Sequence, residues 1–326
     1  MKENTLRIGN FNILNLALPN VPFYGRNQYS EEVYQKKINW IAQQLDTMKA
    51  HVVGFQEVFH KEALQTALAR STFLTNAYCV MSERSGESPA VAIASTFPII
   101  DQEFIHEFPV PLDIDGVEMP IRHFSRPVLR ADIQIRPNLV ITFFIAHLKS
   151  KRPVYADNVN RNDPVEKAKG EARSLIRRAV EAVALREIMM KYLKDRDHPV
   201  VVMGDLNDAD LAVTTQLVSG EPPHRKLPHD AKKEIWDVLL YHAKAIQARK
   251  SYHDFYYSHI HNGHHEALDH IMVSQELVGE NPAHVGRVTY VSVLNDHLID
   301  ETLSNETVPL WQSDHAQIVA SIELKS

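Results

Sequence analysis

Several features are scarce in this sequence, and each absence narrows the possible classes of protein. Cys79 is the only cysteine among 326 residues, so the chain cannot form an intrachain disulfide. Its neighbours, Ala-Tyr before it and Val-Met after it, predict a small buried hydrophobic residue rather than a functional thiol. No run of 18 or more apolar residues occurs, so the sequence predicts no transmembrane helix. No repeat, low-complexity tract or Gly/Ser-rich linker divides the chain.

The overall composition is that of a soluble globular protein. Hydrophobic residues make up 44% of the chain, which is enough for a large core, and a single domain over residues 1–326 is the simplest organisation. A strand-like pattern begins almost at Met1, so we expect no signal peptide and a cytoplasmic location. The sequence indicates no obligate protein partner.

Charge is distributed unevenly along the chain. The formal net charge is −6, which gives no overall basic signature of the kind that nonspecific nucleic-acid-binding proteins usually show. Residues 149–178, however, contain nine Lys or Arg against four acidic residues. This basic segment is either a solvated helix face with its loop, or a rim that collects a polyanionic substrate.

Short apolar strands alternate with amphipathic helices, which is typical of an α/β protein. Helices are predicted at residues 31–49 and 164–194, the second introduced by the capping residue Asp163 and by Pro164. Strands are predicted at residues 6–14, 51–55, 78–82, 90–95, 128–135, 139–146, 199–203, 267–273, 287–293 and 316–322. Two polar stretches, residues 149–162 and 209–230, are predicted to be loops or insertions.

Polar residues follow several of the predicted strands. The strand at 199–203 ends in Gly204-Asp205-Leu206-Asn207, where an aspartate can hold or deprotonate water and an asparagine can bind a phosphate oxygen. Asp and Asn are also ordinary turn formers, so this motif alone could be a plain turn. Two other strands end on Asn12 and on Gln56-Glu57. Such oxygen ligands suit hard cations, although a lone Glu at a strand end is often only solvated.

Two Asp-His pairs lie towards the carboxyl terminus, at Asp269-His270 and Asp314-His315. Such a pair is often a surface feature, but an Asp behind an imidazole also orients the ring for proton transfer. Four further histidines crowd the chain before the first pair: His259, His261, His264 and His265. They favour a polar loop on the substrate side over a zinc site, because no cysteine joins them and their spacing fits no standard zinc set.

Taken in this order, the motifs resemble those of the endonuclease/exonuclease/phosphatase (DNase I-like) superfamily over nearly the whole chain. The matching elements are Phe11-Asn12, Gln56-Glu57, Ala146-His147-Leu148-Lys149, Gly204-Asp205-Leu206-Asn207, Leu268-Asp269-His270-Ile271 and Ser313-Asp314-His315. The resemblance implies a four-layer α/β/β/α sandwich, in which two mixed sheets are flanked by helices and the active site lies at the sheet ends. It also implies a divalent-metal-dependent hydrolase acting on phosphate esters.

The resemblance further implies a role for the matched residues. Glu57 would be the principal ligand of Mg²⁺ or Mn²⁺, with Asn12 beside it and Asp314 near the metal. Asp205 would activate or position the attacking water, and Asn207 would hold the scissile phosphate.

The histidines would complete the implied site. His315 would contact the phosphate and stabilise the transition state, oriented by Asp269. His147 would lie near the leaving group, where abasic-site endonucleases tend to use tyrosine, and this departure counts against a close relationship with them. Arg126 occupies a common family pattern and could either support the site or form a plain salt bridge.

The substrate is predicted from the basic segment, which begins directly after His147. Positive charge at the edge of the site favours a nucleic acid or nucleotide, bound by Arg126, Lys149 and Arg178, and hence a nuclease or phosphodiesterase. The alternative is a phosphomonoesterase or a phospholipase C/sphingomyelinase-type hydrolase. A catalytically inactive binding scaffold is a further alternative, although all of the principal motif residues are present. A calcineurin-type metallophosphatase is excluded because its Gly-Asn-His motif is missing.

Overall fold

The structure, a computed structural model, describes residues 4–82, 86, 88–224, 226–248 and 256–325. The helices are α1 (Glu31–Met48), α2 (Lys61–Arg70), α3 (Pro164–Leu193), α4 (Val213–Ser219), α5 (His229–Asp237) and α6 (Ala243–Ala248). The strands are β1 (Thr5–Leu16), β2 (Val52–Val58), β3 (Tyr78–Met81), β4 (Ala90–Ser95), β5 (Ile99–Glu107), β6 (Asp113–Ile114), β7 (Val117–Glu118), β8 (His123–Arg136), β9 (Leu139–His147), β10 (Val200–Asp205), β11 (Tyr241–His242), β12 (His259–His261), β13 (His264–Glu266), β14 (Asp269–Val273), β15 (Gly286–Leu294) and β16 (Gln317–Leu324). None of the described helices is long and apolar enough to cross a membrane.

Two six-stranded mixed sheets form the centre of the fold. Their strand orders are β15-β16-β1-β2-β4-β3 and β11-β14-β10-β9-β8-β5. Each sheet is antiparallel except for one parallel pair, β1 with β2 in the first sheet and β9 with β10 in the second. Two short hairpins, β6–β7 and β12–β13, lie outside the sheets.

The alternation of apolar side chains along the strands explains the layers. On β9, Phe143 and Ile145 belong to the core between the sheets, whereas Phe144 packs in the cluster beneath α3. Helices α1 and α2 cover the other face of the first sheet. At Gly54 the sheets approach closely, since an added Cβ would lie 2.9 Å from Ile145 Cδ1. The result is the predicted four-layer α/β/β/α sandwich.

The sequence located most of the long elements to within a few residues. Helix α3 begins at Pro164 as predicted, and the Asp163 carboxylate accepts from Val165 N at 2.7 Å. Residues 149–162 contain no helix or strand, whereas the predicted loop at 209–230 contains α4. The β-branched residues that begin α4 lower its helix propensity, and Val218 instead anchors it in the cluster beneath α3. The single-domain organisation stays a prediction.

The topology brings several strand ends to one edge. His147 ends β9 and Asp205 ends β10, and the two residues are neighbours because these strands are parallel. Strand β14 runs antiparallel to β10, so its first residue, Asp269, pairs with Asp205. Strand β16 runs antiparallel to β1, which places His315, just before β16, at the same edge.

Candidate active site

A buried carboxylate lies at the centre of this edge. Asp205 Oδ2 accepts from Asn12 Nδ2 at 3.1 Å and lies 3.5 Å from His147 Nε2 and 3.9 Å from His315 Nε2. Asp205 Oδ1 accepts from the main-chain N–H of Asn207 at 2.9 Å. Four other residues singled out in the sequence therefore meet around the Asp205 side chain.

Burial changes the ionisation of Asp205. Its exposed fraction is only 2%, and burial raises the pKa of Asp205 to about 7; His315 acts in the opposite direction, while Asp269 and Glu57 add to the increase. A carboxyl group with a pKa near neutrality can exchange a proton with water in the physiological range. The environment of Asp205 is thus suited to proton transfer.

His315 is held as a cation by the carboxylates around it. Its Nδ1 lies 2.7 Å from Asp269 Oδ2. Burial disfavours the charged ring. The negative charges of Asp269, Asp205 and Asp314 outweigh this effect, so the pKa of His315 rises well above its usual value. Because Nδ1–H is directed to Asp269, the other ring nitrogen is left facing Asp205.

His147 has the opposite character. Its ring is almost fully buried, and burial, followed by the charges of Arg126, His315 and Lys149, lowers the pKa of His147 well below its usual value. Its Nδ1 is buried without a hydrogen-bond partner among the described residues. The site therefore contains one neutral and one cationic imidazole on either side of Asp205.

The turn after β10 is fixed by Asn207. This residue has φ of 56°, in the left-handed region that asparagine tolerates, and its Nδ2 donates to Leu148 O at 3.1 Å. The loops that follow β9 and β10 are thereby joined beside Asp205. The phosphate contact of Asn207 stays a prediction.

This geometry agrees with the family comparison. A profile of the Endonuclease/Exonuclease/phosphatase family matches residues 10–315. The chain belongs to this family. Family membership supports a phosphoesterase but does not specify its substrate. No curated protein matches the chain significantly in sequence.

Solved structures share the fold over nearly the full length. A humanized D. rerio TDP2 has 14% identity and a TM-score of 0.58, with coverage of 98% of this chain and 99% of that chain. A Bacteroides thetaiotaomicron mannosyl-6-phosphatase has 14% identity and a TM-score of 0.56, covering 97% and 99%. An AP endonuclease from Archaeoglobus fulgidus has 15% identity and a TM-score of 0.53, covering 97% and 98%. At such low identity these similarities show the fold alone.

Of the residues that the family resemblance assigns to the metal, Asn12 lies on β1, Glu57 lies on β2, and Asp314 lies just before β16. Glu57 Oε2 accepts from Asn15 N at 3.1 Å. Asp314 Oδ1 and Asn15 Oδ1 are buried without a hydrogen-bond partner among the described residues. Carboxylate and amide oxygens are the ligands that a hard divalent cation prefers, so the chemistry of Glu57, Asp314 and Asn15 fits a metal ion.

Close groups of potential ligand atoms also occur around His315. Within the described part of the chain, ligand atoms of His259, Asp314 and His315 lie within 4.8 Å of one another, as do those of Asp205, Asp269 and His315. Glu57 belongs to neither group, and Asn12 Oδ1 accepts from the main-chain N–H of Leu14 at 3.1 Å. The assignments of Glu57 and Asn12 as metal ligands stay predictions.

Lys37 on α1 is a site residue that the sequence analysis missed. Its side chain is fully buried, and its Nζ has no hydrogen-bond partner among the described residues and lies 5.7 Å from the centroid of the Tyr29 ring. Burial lowers the pKa of Lys37 to about 7, while Glu57 and Asp314 act in the opposite direction. A signal was present, because Lys37 falls on the apolar face of a predicted helix.

A buried amide network was also missed, although Gln56 itself was singled out in the sequence. Gln56 Nε2 donates to Asn10 Oδ1 at 2.9 Å, and Asn10 Nδ2 donates to Asp269 Oδ1 at 3.3 Å. Asn10 and Asn12 follow Ile8 at every second position of β1, and all three are fully buried. Repeated polar residues on one buried strand face could have revealed this network, which supports Asp269 from behind.

Arg178 is buried beneath the loops that follow β9 and β10. Its exposed fraction is 4%, and its guanidinium lies 3.1 Å from Asp208 Oδ2 and donates to Lys149 O at 3.2 Å. Arg178 therefore supports the loops that follow β9 and β10 from beneath. Its contact with substrate stays a prediction.

Lys149 and Arg126 lie nearer to the centre. Lys149 Nζ donates to main-chain oxygens at Ser150 and Arg152, at 3.0 and 3.2 Å, and its main-chain N–H donates to the buried Glu181 at 2.7 Å. Arg126 Nη1 donates to Leu148 O at 3.3 Å. Both cations are engaged within the chain, so their substrate contacts stay predictions.

Proposed function

We propose that this protein is a divalent-metal-dependent phosphoesterase that hydrolyses phosphodiesters, with a nuclease or nucleotide phosphodiesterase as the first candidate. The observation that carries this proposal is the convergence of His147, His315 and Asn12 on the buried carboxylate of Asp205. This constellation combines a proton acceptor with a fixed cation, which is what hydrolysis of a phosphate ester needs.

Each side chain has a role that follows from its ionisation. Asp205 holds the attacking water and accepts its proton, because the pKa of this carboxyl lies near neutrality. His315, kept cationic by Asp269, stabilises the negative charge that develops on the phosphate. His147 offers a neutral imidazole that can hydrogen-bond the departing oxygen.

The residues that fit a metal complete the scheme. Glu57, Asp314 and Asn15 would hold the ion, and Mg²⁺ or Mn²⁺ suits their oxygen atoms. When bound, such an ion supplies neutralisation of phosphate charge.

A second candidate function is hydrolysis of small phosphorylated molecules or lipid headgroups. It is favoured by the ion pairs that the basic segment, residues 149–178, forms within the chain. Lys151 Nζ lies 2.9 Å from Glu266 Oε2, Arg178 is paired with Asp208, and Arg177 Nε lies 3.5 Å from Glu181. These internal ion pairs reduce the positive charge available to a polyanion.

The proposed function is tested by hydrolysis of bis(p-nitrophenyl) phosphate, DNA, RNA, phosphomonoesters and sphingomyelin with Mg²⁺, Mn²⁺ or EDTA. Asp205→Asn should lower the rate of metal-dependent diester cleavage by about 10³-fold, because it removes the proton acceptor. The control is Asp230→Asn, which should keep full activity because the Asp230 side chain is 97% exposed.

Each outcome of this assay decides between the candidates. Diester cleavage that is lost in Asp205→Asn supports the first candidate, whereas activity confined to monoesters or sphingomyelin favours the second. Cleavage that survives Asp205→Asn would contradict the assigned site. Inactivity on every substrate would indicate a binding scaffold.

A further inference from the structure

A pocket of about 860 Å³ opens beside the residues that fit a metal ion. Asn15 and Asp314 lie on its lining, and the remaining lining residues come from Leu14, segment 23–29, segment 259–263 and segments 298–302 and 308–310. Its volume is in the range of pockets that bind small molecules. The pocket lies next to the reaction centre and is large enough for a substrate group.

The hairpin β12–β13 connects one wall of the pocket to the catalytic residues. His259 forms a β-bridge with His315, and the two rings stack with centroids 4.6 Å apart. His259 Nδ1 lies 2.9 Å from Asp314 O, which fixes the ring. His261 lies on the same side of β12 and stacks on His259 with centroids 6.3 Å apart. This wall is therefore a fixed row of imidazoles that begins at His315.

Another wall carries negative charge. Asp300 Oδ1 accepts from Thr302 N and Oγ1, at 3.0 and 2.6 Å, and Glu301 Oε1 accepts from Val308 N at 3.0 Å. These bonds fix the loop through one oxygen of each carboxylate. Arg26 is the one Lys or Arg among the described residues of the lining. Apart from Asp314, the pocket thus presents two carboxylates against one guanidinium.

We propose that this pocket binds one of the alcohol groups that are esterified to the substrate phosphate. It selects an alcohol group that is uncharged or cationic. A further phosphate in the pocket would meet Asp300 and Glu301 with only Arg26 to offset them, and this repulsion discriminates against it. The imidazoles, amides and rings of the lining offer hydrogen bonds and stacking to a hydroxylated group or a base. The substrate class is therefore a small phosphodiester, and a polynucleotide does not extend through the pocket.

This inference rests on the proposed function and is tested with two probes that differ by one phosphate. The probes are p-nitrophenyl thymidine 5′-phosphate and the same compound with an added 3′-phosphate, and bis(p-nitrophenyl) phosphate serves as the activity reference. With saturating Mn²⁺, the wild-type KM should be about 10-fold higher for the 3′-phosphorylated probe, with similar kcat, because the repulsion acts on binding.

Matched variants locate the discrimination. The double variant Asp300→Asn, Glu301→Gln keeps the oxygens that hold the loop but removes both charges, so the ratio of the two KM values should fall to about 2 or less. Glu306→Gln is the control, since Glu306 lies in the same exposed segment but does not line the pocket. It should leave the ratio unchanged.

The outcomes separate this inference from the proposed function. Equal wild-type KM values for the two probes would overturn the selectivity of the pocket while hydrolysis of the reference diester upholds the proposed function. A ratio that is unchanged in a folded double variant would overturn the assignment to Asp300 and Glu301. Failure to hydrolyse all three diesters would overturn the proposed function and this inference together.

Discussion

At the scale of single residues, three aspartates close to one another differ in what surrounds them. Asp205 is buried among polar groups and has a raised pKa, Asp269 is paired with His315, and Asp314 keeps a buried oxygen without a partner among the described residues. The sequence motifs singled out all three as candidate site residues. They could not assign an ionisation state, because it depends on burial and on charges far away in the chain.

Lys37 provides a test of the predicted metal region at this scale. In the folded protein the pKa of Lys37 is about 7, below the unfolded value of about 10.4. Burial of Lys37 therefore lowers the free energy of unfolding by its full amount below pH 7, and this cost disappears as the pH rises towards 10. Lys37→Met should therefore raise the free energy of unfolding of the metal-free protein by about 1–3 kcal/mol at pH 7. Urea unfolding in EDTA measures this difference.

The same substitution should strengthen metal binding. A cation near Glu57 and Asp314 opposes a divalent ion, so Lys37→Met should lower the Kd for Mn²⁺ by about fivefold in calorimetric titration. The control is Lys36→Met, since Lys36 lies exposed on the same helix and pairs with Glu32. Weaker metal binding by Lys37→Met would mean that the ammonium supports the ligands instead.

At the scale of elements, the sequence predicted apolar strands better than a strand with an interrupted apolar pattern. Strand β4 is buried along its whole length and its bounds were predicted correctly. Strand β5 was missed because it lies at a sheet edge, where polar residues interrupt the apolar pattern and Asp101 and Glu103 contact Arg130 of β8. Register was also beyond reach, since it depends on pairing between distant segments.

The junction of β9 and β10 can be tested through Gly204. A Cβ at this position would lie 1.9 Å from the main-chain oxygen of Ala146, so no side-chain movement can relieve the clash. Gly204→Ala should separate the strands that place His147 beside Asp205, and should lower the free energy of unfolding by about 2–4 kcal/mol. Thermal and urea unfolding measure the loss.

A matched glycine controls for the substitution itself. At Gly279 an added Cβ would meet only the side chain of Arg287, at 3.4 Å, so Gly279→Ala should leave stability nearly unchanged. If Gly204→Ala unfolded at the same denaturant concentration as Gly279→Ala, the inferred close contact between β9 and β10 would be wrong.

At the scale of the whole molecule, the site lies across both sheets. Asn12 and Glu57 come from the first sheet, whereas His147, Asp205 and Asp269 come from the second. Strand patterns predict each segment but not which segments meet, so the sequence linked these residues only through the family resemblance. Integrity of the site therefore depends on the global stability of the sandwich.

That stability should fall in acid, because several histidines are buried or half-buried with lowered pKa values. Among the described residues, burial lowers the pKa of eight histidines: His51, His60, His147, His198, His242, His259, His270 and His297. The unfolded chain binds more protons than the folded chain below their unfolded pKa of about 6.5, so stability declines as the pH falls below that value.

His242 is not one of the assigned catalytic residues, and it allows one of these contributions to be isolated. Burial, reinforced by His270, lowers the pKa of His242 to about 3, and its Nε2 is buried without a partner among the described residues. The loss of stability caused by His242 is absent above pH 6.5 and grows as the pH falls towards 3. Since His242→Phe removes the titration, the variant should lose about 1–2 kcal/mol less stability than wild type between pH 8 and pH 5. Urea unfolding at both pH values measures this difference. The control is His229→Phe, since His229 is exposed. Equal losses of stability in wild type and His242→Phe would mean that His242 becomes protonated without disturbing the fold.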